Sequence, residues 1–576
     1  MKYEYITDRI QLSRALSRIE KDPILYLDTE TTADRIRLVQ IGNEEEVFVI
    51  DVFELPQSLS LVGEVIREKG IVGHNLKFDL KLLLPHGIKP LAVFDTMIGS
   101  YLLGFERHSL SHVTESMLGY TVDKSLQLSD WSRRDLTTSQ IEYAAKDVVA
   151  VRELFPKIRD KINSIGRAGD RGEELLRTRT AKVFGLTNPA AVVEMAFVQE
   201  VAKLELSGFP VDEEEIDRSL TDMERKLQKL IMDFYIKYRT DPLSPKQVGA
   251  LLREKLGLSL PETQKGNVST DDKVLSEFSH VKEVRHILEI RKTKKTLDKL
   301  KELKTFVKDG RVYPEFKQIG AITGRMSSYK PNVQNIPRDM RSVFKAEEGR
   351  VFVIADFSQI ELRIAAEYVR DENMVRAFRE GKDLHKYTAS LVLEKAEEEV
   401  SKEERQLAKA MNFGLIYGIS ARGLSAYARG SYGVELSLSA AEVFRERFFK
   451  FFPSFKRWHD NVKKKLREGE IRDTTLLGRF YRASTFTDAV NYPIQGSGAD
   501  LLKLAVLMLG VEFKKRNLSA KVVNLVHDEV VVECDEEEAE EVEDALCDAM
   551  VRAGHIVLKH VPVDVEITKG ERWVKD

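Results

Sequence analysis

Residues 404–418 read ERQLAKAMNFGLIYG, and chemically distinctive side chains recur in this stretch at every fourth position. The recurring residues are Arg405, Lys409, Phe413 and Tyr417. On a helix each step of four residues drifts by about 40°, so these side chains form one stripe. Cations suit phosphate oxygens, and aromatic rings suit the face of a base or a sugar. Gly418 can adopt the left-handed conformation in which helices end, so we expect the helix to end at Tyr417 and Gly418.

Taken alone, this stripe has a simpler explanation. Basic residues four positions apart are common on a solvated helix face, and Phe and Tyr are common in cores. The stripe therefore supports a phosphate-binding and base-binding hypothesis only in combination with acidic motifs elsewhere in the chain.

The length and composition of the chain limit the fold classes. A chain of 576 residues is too long for one core, and about three to four structural units are expected. We find no apolar run near the ~20 residues of a membrane span, and the two cysteines cannot supply a disulfide framework, so a cytoplasmic location is expected. The net charge is −3, but residues 291–304 are strongly basic and residues 535–544 strongly acidic. The high content of Glu, Lys and Arg is compatible with a thermophilic source.

The order of sequence patterns indicates an α/β multidomain protein. The first ~160 residues alternate strand-like and helical patterns. Strands are predicted at residues 24–27, 36–41, 47–50 and 71–72, and helices at 80–84, 96–103 and 140–154. Residues 191–307 are mostly helical, with a loop predicted at 266–272. A third region combines strands at 351–355, 521–525 and 530–534 with long helices.

A set of acidic residues lies in the N-terminal region. The strand at 24–27 leads into Asp28 and Glu30, which share one face of an extended chain. Asp79 follows the strand at 71–72, and Tyr143 and Asp147 are one helical turn apart. Carboxylates from separate elements suit a pair of hard divalent ions, which can activate water for phosphodiester hydrolysis. Any one of these acids alone would more simply be a cap or a surface residue, as Asp95 is interpreted to be.

A second acidic set lies in the C-terminal half. The apolar run at 351–355 ends at Asp356, and two β-rich segments flank His527, Asp528 and Glu529. Such segments around a polar break predict a hairpin with acids at its tip. If the strands are neighbours, Asp356 and Asp528 can hold two divalent ions for phosphoryl transfer. The alternative for Asp528 and Glu529 alone is a polar turn.

Together with further motifs, these residues resemble the family A DNA polymerases of the Klenow type. The N-terminal acidic set resembles the proofreading 3′-5′ exonuclease domain of the DEDDy group, and the resemblance covers essentially the whole chain. The polymerase motifs are TGRMSS (323–328), PNVQNIP (331–337), DFSQIELR (356–363), the stretch at 404–418, NYPIQG (491–496) and VHDE (526–529), with LSPKQ (243–247) in the thumb.

The resemblance implies a fold and a set of domains. The expected fold is an RNase H-like exonuclease domain followed by a right-hand polymerase with palm, fingers and thumb. The expected boundaries are 1–165 for the exonuclease domain, 166–195 for the linker and start of the polymerase region, 196–310 for the thumb, 311–363 and 480–576 for the palm, and 364–479 for the fingers.

The resemblance also implies roles for individual residues. In the exonuclease centre Tyr143 would orient the attacking water, and the metal ligands would be Asp28, Glu30, Asp79 and Asp147. In the polymerase centre Asp356 and Asp528 would be metal ligands, and Glu529 would complete the catalytic acids. Lys409 would also protonate the leaving pyrophosphate. The nucleotide-binding residues would be Arg405, Lys409 and His385 (phosphates), Phe413 (sugar and base), Tyr417 (near the templating base), Glu361 (steric gate against a 2′-hydroxyl) and Gln359.

Phe413, rather than tyrosine, implies discrimination against dideoxynucleotides. The expected DNA contacts are Arg325, Asn332, Gln334, Asn335, Asn491, Gln495 and His527. Minor-groove contacts of this kind are nearly blind to sequence, as copying requires. Basic residues 291–304 would hold the duplex as part of a thumb, although a solvated helix face explains them equally well.

The function implied is template-directed DNA synthesis with 3′-5′ proofreading, in DNA replication, repair or both. The expected cofactor is Mg²⁺ in both centres, with Mn²⁺ able to substitute. The expected partners are primer-template DNA and dNTPs, with no membrane, for a monomeric enzyme. Two other functions are alternatives: a processing exonuclease whose C-terminal part only binds nucleic acid, and a non-catalytic DNA-binding scaffold. The presence of Asp356, Asp528, Arg405 and Lys409 argues against the first, since binding alone would not need both acids. Two intact sets of acidic positions argue against the second.

The sequence departs from the family pattern in three places. Phe486 and Thr487 occupy positions where many relatives have a Glu-Arg pair, so one primer-side contact is expected to be lost or replaced. Leu525 replaces a Gln that often precedes the HDE triplet. No sequence precedes the exonuclease-like region, so the 5′-nuclease module of many relatives is expected to be absent.

Overall fold

The N-terminal region folds around a six-stranded mixed sheet. The structure is a computed structural model that describes residues 2–33, 35–166, 169–263 and 266–574. The strands and helices of this region are β1 (Tyr3–Ile6), α1 (Arg9–Ile19), β2 (Ile24–Thr32), β3 (Arg35–Gly42), β4 (Val47–Asp51), α2 (Ser58–Ile66), β5 (Gly70–Gly73), α3 (Leu76–Leu83), β6 (Ala92–Asp95), α4 (Thr96–Leu102), α5 (Leu110–Leu118) and α6 (Thr138–Ser164). The strand order is β1-β4-β3-β2-β5-β6, with β2, β5 and β6 mutually parallel.

The predicted strands of this region are confirmed, but two boundaries differ. β2 continues to Thr32, so Asp28 and Glu30 lie within the strand rather than after it. α3 begins at Leu76, one turn before the predicted helix, which places Asp79 in its first turn. Asp95 explains the early start, because its carboxylate accepts hydrogen bonds from the backbone N–H groups of Asn75 (2.9 Å) and Leu76 (2.8 Å). Asp95 also caps α4, as the sequence predicted.

A long buried helix joins the N-terminal region to the rest of the chain. After α7 (Arg179–Phe184), α8 (Pro189–Ser207) starts at the side-chain cap Asn188 and is buried along almost its whole length. It packs against α3 and β6 on one side and against the C-terminal half on the other. The expected boundary between residues 195 and 196 falls inside this helix, because one apolar helix serves both cores.

The central helical region is built on two long helices that pack against each other. Its core contains Phe234 and Ile287, and the charged residues of the second long helix lie on the remaining faces. The elements are β7 (Phe209–Pro210), α9 (Glu213–Tyr238), α10 (Pro245–Ala250), α11 (Asp272–Ser276), α12 (Lys282–Thr305), β8 (Val307–Lys308), β9 (Arg311–Val312), β10 (Glu315–Lys317) and β11 (Ser327–Tyr329). The predicted loop at 266–272 precedes α11, which begins at its last residue.

The C-terminal sheet has four antiparallel strands in the order β15-β16-β12-β17. A helical region is inserted between its first strand and the other three. In chain order the elements are β12 (Arg350–Phe357), α13 (Ile360–Val369), α14 (Glu372–Arg379), α15 (Leu384–Leu393), α16 (Lys402–Ile416), α17 (Ala421–Tyr432), α18 (Leu438–Phe451), α19 (Pro453–Glu468), β13 (Ile471–Thr474), β14 (Phe480–Ala483), α20 (Phe486–Arg516), β15 (Lys521–Val526), β16 (Glu529–Asp535), α21 (Ala539–Val557) and β17 (Val565–Gly570). The three predicted strands are confirmed.

α20 is the central helix of this half. It is also the single helix, among the residues that the structure describes, that is long and apolar enough to cross a membrane. Its most apolar window is 67% buried, and it packs against α8, α13 and α21. Burial of this kind is typical of a core helix, which explains its composition.

The helix predicted from the stripe at 404–418 is confirmed as α16. It begins with a capping box in which Ser401 and Glu404 satisfy each other's backbone N–H groups. It ends at Ile416, with Tyr417 as its C-cap, and Gly418 has φ = +77°. The left-handed glycine at this position is therefore the stop signal that the sequence indicated.

Candidate active sites

Three carboxylates converge at the centre of the N-terminal sheet. Asp28 and Glu30 project from one face of β2, and Asp147 projects from α6, which packs across that strand. Their ligand oxygens all lie within 4.8 Å of one another. Like charges this close are unfavourable without a cation between them.

Asp79, the fourth expected ligand, lies beside this group but outside it. Its Oδ1 accepts a hydrogen bond of 2.6 Å from the hydroxyl of Thr29, the residue between Asp28 and Glu30. The side chain is buried, and its charge is one cause of the raised pKa of Asp28. The structure thus places Asp79 near the three-carboxylate group, with one of its oxygens already engaged.

The electrostatics of the group fit a divalent cation. Burial, followed by the charge of Asp79, holds the pKa of Asp28 well above its ordinary value. Burial raises the pKa of Glu30 to about 8 and that of Asp79 to about 7. Oδ1 of Asp147 is buried and has no hydrogen-bond partner among the described residues. A hard cation would supply the missing partner and would offset these raised pKa values, because it favours the ionised carboxylates.

Lys124 is a functional candidate that the sequence reasoning missed. Its Nζ lies 2.7 Å from Oδ2 of Asp147 and 5.5 Å from the centre of the Tyr143 ring. Tyr143 also packs against Trp131, and burial with the charge of Asp147 raises its pKa. Lys124 and Trp131 lie in the segment between α5 and α6, which has no periodic pattern from which their direction could be predicted.

A second acidic site lies at one end of the two central strands of the C-terminal sheet. Asp356 on β12 is directly opposite Glu529 on β16. The predicted hairpin is confirmed, but its turn has two residues, His527 and Asp528, because Glu529 already pairs with Val526. The backbone N–H of Phe357 donates to the carbonyl oxygen of Asp528 at 3.3 Å, which holds the turn against β12. The structure therefore brings Asp356 and Asp528 together from opposite ends of the C-terminal half, and such a pair of carboxylates suits hard divalent ions.

Glu529 is held by residues that are distant in sequence. The indole N–H of Trp573 donates to its Oε1 at 2.7 Å, and a guanidinium nitrogen of Arg341 lies 3.4 Å from its Oε2. The Arg341 guanidinium also lies over the Trp573 ring, 4.1 Å from its centre. The only sequence signal for Trp573 was its size, because large aromatic residues are usually packed.

The stripe on α16 is half-buried, whereas residues between its members, such as Leu407 and Met411, are buried. Nε of Arg405 donates to Asp383 at 2.8 Å. At the other end, the hydroxyl of Tyr417 donates to Oε2 of Glu361 at 2.7 Å, and burial with this carboxylate's charge raises the pKa of Tyr417. Since Glu361 is on α13, which follows β12, this hydrogen bond joins the stripe to the strand of Asp356.

His385 lies on α15 behind the stripe. It is buried, its Nδ1 accepts a hydrogen bond of 2.9 Å from the amide of Asn412, and its ring centre is 6.0 Å from that of Phe413. Burial, with the nearby charge of Arg405, lowers its pKa to about 4. The imidazole is therefore neutral at neutral pH. Gln359, the N-cap of α13, is half-buried with φ = +52°.

The structure places the expected DNA contacts on several separate elements. Arg325 is engaged with Glu361, at 2.5 Å between Nη2 and Oε1. Asn491 and Gln495 lie one turn apart on α20 and are hydrogen-bonded to each other at 3.2 Å. Oδ1 of Asn332 accepts hydrogen bonds from the backbone N–H groups of Gln334 and Asn335. The side-chain amide of Gln334 donates to the carbonyl oxygen of Leu525 at 2.8 Å. His527 is exposed at the hairpin turn.

Two of the departures in the sequence have a structural account. Phe486 opens α20 and packs against His459, with the Lys463 ammonium 5.5 Å from its ring centre. It also lies next to Gly418 at the end of α16. Leu525 uses its backbone carbonyl, rather than a side chain, to contact Gln334.

The chain is similar to known proteins over both of its halves. Residues 3–163 match the family model described as 3′-5′ exonuclease, and residues 212–575 match the model of DNA polymerase family A. The chain is 63% identical to DNA polymerase I of Aquifex aeolicus, with all of both chains covered. It is 30% identical to DNA polymerase I of Borreliella burgdorferi and of Pseudomonas aeruginosa, of which it covers 64% and 66%.

A solved structure supports the fold. It is described as the POL domain of Pol1 from M. smegmatis in complex with DNA primer-template and dNTP. The TM-score is 0.81 at 24% sequence identity, and the match covers 99% of each chain.

Proposed function

Because the chain belongs to DNA polymerase family A and carries a 3′-5′ exonuclease domain, we propose that Asp356 and Asp528 form the centre of template-directed DNA synthesis. The substrates are dNTPs and the 3′-hydroxyl of a primer paired to a template. Enzymes of this family use divalent metal ions, and Mg²⁺ suits these hard carboxylate ligands. When bound, two such ions activate the 3′-hydroxyl and neutralise charge on the triphosphate.

The observation that carries this proposal is the hydrogen bond between Tyr417 and Glu361. It fixes the end of the α16 stripe to α13, a few residues after Asp356. We infer that a nucleotide bound along this stripe has Arg405 and Lys409 on its phosphate side and Phe413 on its sugar side. His385 is neutral and contributes a hydrogen bond to the phosphates without a positive charge. Lys409 protonates the leaving pyrophosphate.

Selectivity and DNA binding follow from the surrounding residues. Glu361 lies where it crowds a ribose 2′-hydroxyl, with Gln359 beside it and Tyr417 near the templating base. Glu529, which is hydrogen-bonded to Trp573, completes the acidic site. The C-terminal sheet is then the palm, the inserted helices are the fingers, and the central helical region is the thumb. The duplex contacts are Arg325, Asn332, Gln334, Asn335, Asn491, Gln495 and His527.

The N-terminal carboxylates are proposed as the proofreading centre. Asp28, Glu30 and Asp147 would hold divalent ions, with Asp79 as the fourth ligand once its hydrogen bond to Thr29 is exchanged. Such ions activate water and stabilise the leaving 3′-oxygen. Tyr143 orients that water, and Lys124 balances the charge of Asp147. The enzyme is proposed to act as a cytoplasmic monomer on primer-template DNA.

Primer extension by Asp528→Ala tests the polymerase assignment. Loss of one of the two carboxylates is expected to lower kcat by at least about 10³-fold, as expected for a group that acts in the transition state. Asp535→Ala is the matched control. Asp535 lies at the far end of β16, the strand that follows Asp528, and it pairs with Arg350 on the surface. Undiminished extension by Asp528→Ala, or equal loss in both variants, would contradict the assignment.

A further inference from the structure

A buried cluster of charged side chains lies between α8, the β13–β14 turn and α20. Glu194 on α8 pairs with both Arg479 and Lys503. Arg479 also donates to Asp500 on α20, at 2.9 Å from its Nε. All four side chains are at most 4% exposed. Two cations and two carboxylates balance, but a buried ion cluster is seldom a stability advantage over apolar packing, so its presence points to another role.

The cluster is bonded directly to the backbone of the segment before Arg325. Nζ of Lys503 donates to the carbonyl oxygens of Gln318 (3.0 Å) and Gly324 (2.8 Å). Gly324 has φ = +84°, and a Cβ at this position would lie 2.6 Å from Cζ of Arg479. The amide of Gln318 in turn donates to the backbone carbonyl of Glu194 at 2.8 Å. The segment 318–325 therefore rests on the cluster at both of its ends.

We propose that the Glu194–Arg479–Asp500–Lys503 cluster positions Arg325, and through it the nucleotide site. Arg325 follows Gly324 directly and holds Oε1 of Glu361, while Tyr417 holds the other oxygen of that carboxylate. A shift of Gly324 therefore moves Arg325, and the orientation of Glu361 changes with it. The inference rests on the proposed role of Glu361 in excluding ribonucleotides, and the four cluster residues are positioning residues that do not touch the substrate.

Glu194→Gln and Glu533→Gln form a matched pair of variants for the test. Both glutamates have fully buried side chains, and each is paired with an arginine; Glu533, on β16, pairs with Arg311 at 2.5 Å. Each change removes one buried negative charge and should lower Tm. We expect Glu194→Gln to lower the ratio of kcat/KM for dNTP over rNTP by about tenfold, while Glu533→Gln keeps that ratio within about twofold. An equal change in both variants overturns the proposal.

A double variant separates positioning from stability. Lys503→Met removes the donors to Gly324, and Glu194→Gln/Lys503→Met restores the charge balance of the cluster without restoring those donors. The double variant should therefore recover much of the Tm lost by Glu194→Gln, yet keep the reduced discrimination. Recovery of both quantities together would show a merely structural role and overturn the proposal.

A structural readout makes the outcome independent of the proposed function. If the wild-type chain fails to extend a primer, the proposed function is wrong, whereas positioning can still be measured. A crystal structure of Glu194→Gln/Lys503→Met should show Arg325 displaced from Glu361. An unchanged bond between Arg325 and Glu361 in that variant overturns the inference whatever the activity of the wild type.

Discussion

Phe413 is proposed to determine which sugars the enzyme accepts. It lies half-buried on α16, with the His385 ring 6.0 Å away. A tyrosine hydroxyl at this position would offer a hydrogen-bonding group where a nucleotide lacks its 3′-hydroxyl. We therefore expect Phe413→Tyr to raise the efficiency of dideoxynucleotide incorporation relative to dNTP by at least about tenfold, which corresponds to about 1.4 kcal/mol.

Single-nucleotide incorporation kinetics with ddNTP and dNTP measure this ratio. Phe444→Tyr is the control, because it adds the same hydroxyl to a partly buried phenylalanine of α18. If Phe413→Tyr leaves the ratio unchanged, Phe413 does not pack on the sugar.

Glu30 should make the stability of the folded chain depend on pH, and metal binding should remove this dependence. Its pKa is raised by burial from 4.5 to about 8 in the folded chain, so between these values the folded state binds a proton that the unfolded state has released. The free energy of unfolding must therefore fall as the pH rises through this window. The contribution of Glu30 to stability is fully present only below the window. In EDTA, the Tm of the wild type should decline from pH 4.5 to 8 more steeply than that of Glu30→Gln.

Excess Mg²⁺ should flatten the difference between the two curves, since a bound cation favours the ionised carboxylates. Parallel curves for wild type and Glu30→Gln in EDTA would contradict the burial of an unfavourable charge at this position.

The sequence predicted the acidic residues of both sites but not their neighbours. Asp28 with Glu30, and Tyr143 with Asp147, have spacings that fix their relative direction on a strand or a helix. Lys124 and Trp573 have no such spacing, because their contacts depend on how an irregular segment and a chain end pack. The same is true of the bond between Arg325 and Glu361, whose partners are 36 residues apart.

At the scale of elements, the end of α16 contacts the start of α20. Gly418 has φ = +77°, and a Cβ there would lie 2.3 Å from Cε1 of Phe486. Gly418→Ala should cost roughly 1–2 kcal/mol for the left-handed backbone, with a further cost for displacing the Phe486 ring. It should also raise the KM for dNTP, because Tyr417 is the adjacent residue.

Chemical denaturation and steady-state kinetics measure the two effects of Gly418→Ala. Gly430→Ala is the matched control, since Gly430 is within α17 and a Cβ there meets no atom within 4 Å. That control is expected to stabilise the chain by roughly 0.5–1 kcal/mol, as helical Gly→Ala changes do. A Gly418→Ala variant as stable as the wild type would show that the turn is not constrained in this way.

Most elements were predictable from local patterns, whereas some boundaries were not. The apolar run at 351–355 and the β-rich segments around His527 are strands in the structure, because short β-branched runs bounded by polar residues have few alternatives. The start of α3 was predicted one turn late, since its cap is Asp95, nineteen residues away from Leu76. The extent of α8 was missed because an almost fully buried helix lacks the polar face that makes a helix recognisable.

At the scale of the whole molecule, one helix serves both catalytic regions. Glu205 near the end of α8 pairs with Lys77 and Lys81 of α3, at 2.6 and 2.7 Å, and also accepts from the backbone N–H of Phe316. Glu194 on the same helix belongs to the cluster under Gly324. The two regions are thus joined by buried polar contacts as well as by apolar packing, although the two acidic sites are built around separate sheets.

The two acidic sites are proposed to act independently, one extending a primer and the other shortening it. A single gel that follows a 5′-labelled primer on a template, with and without dNTPs, measures both activities for the wild type, Asp528→Ala and Asp28→Ala. With Mg²⁺, Asp528→Ala is expected to shorten the primer but not to extend it. Asp28→Ala is expected to extend the primer but not to shorten it. Extension by Asp528→Ala, or shortening by Asp28→Ala at the wild-type rate, would contradict the claim.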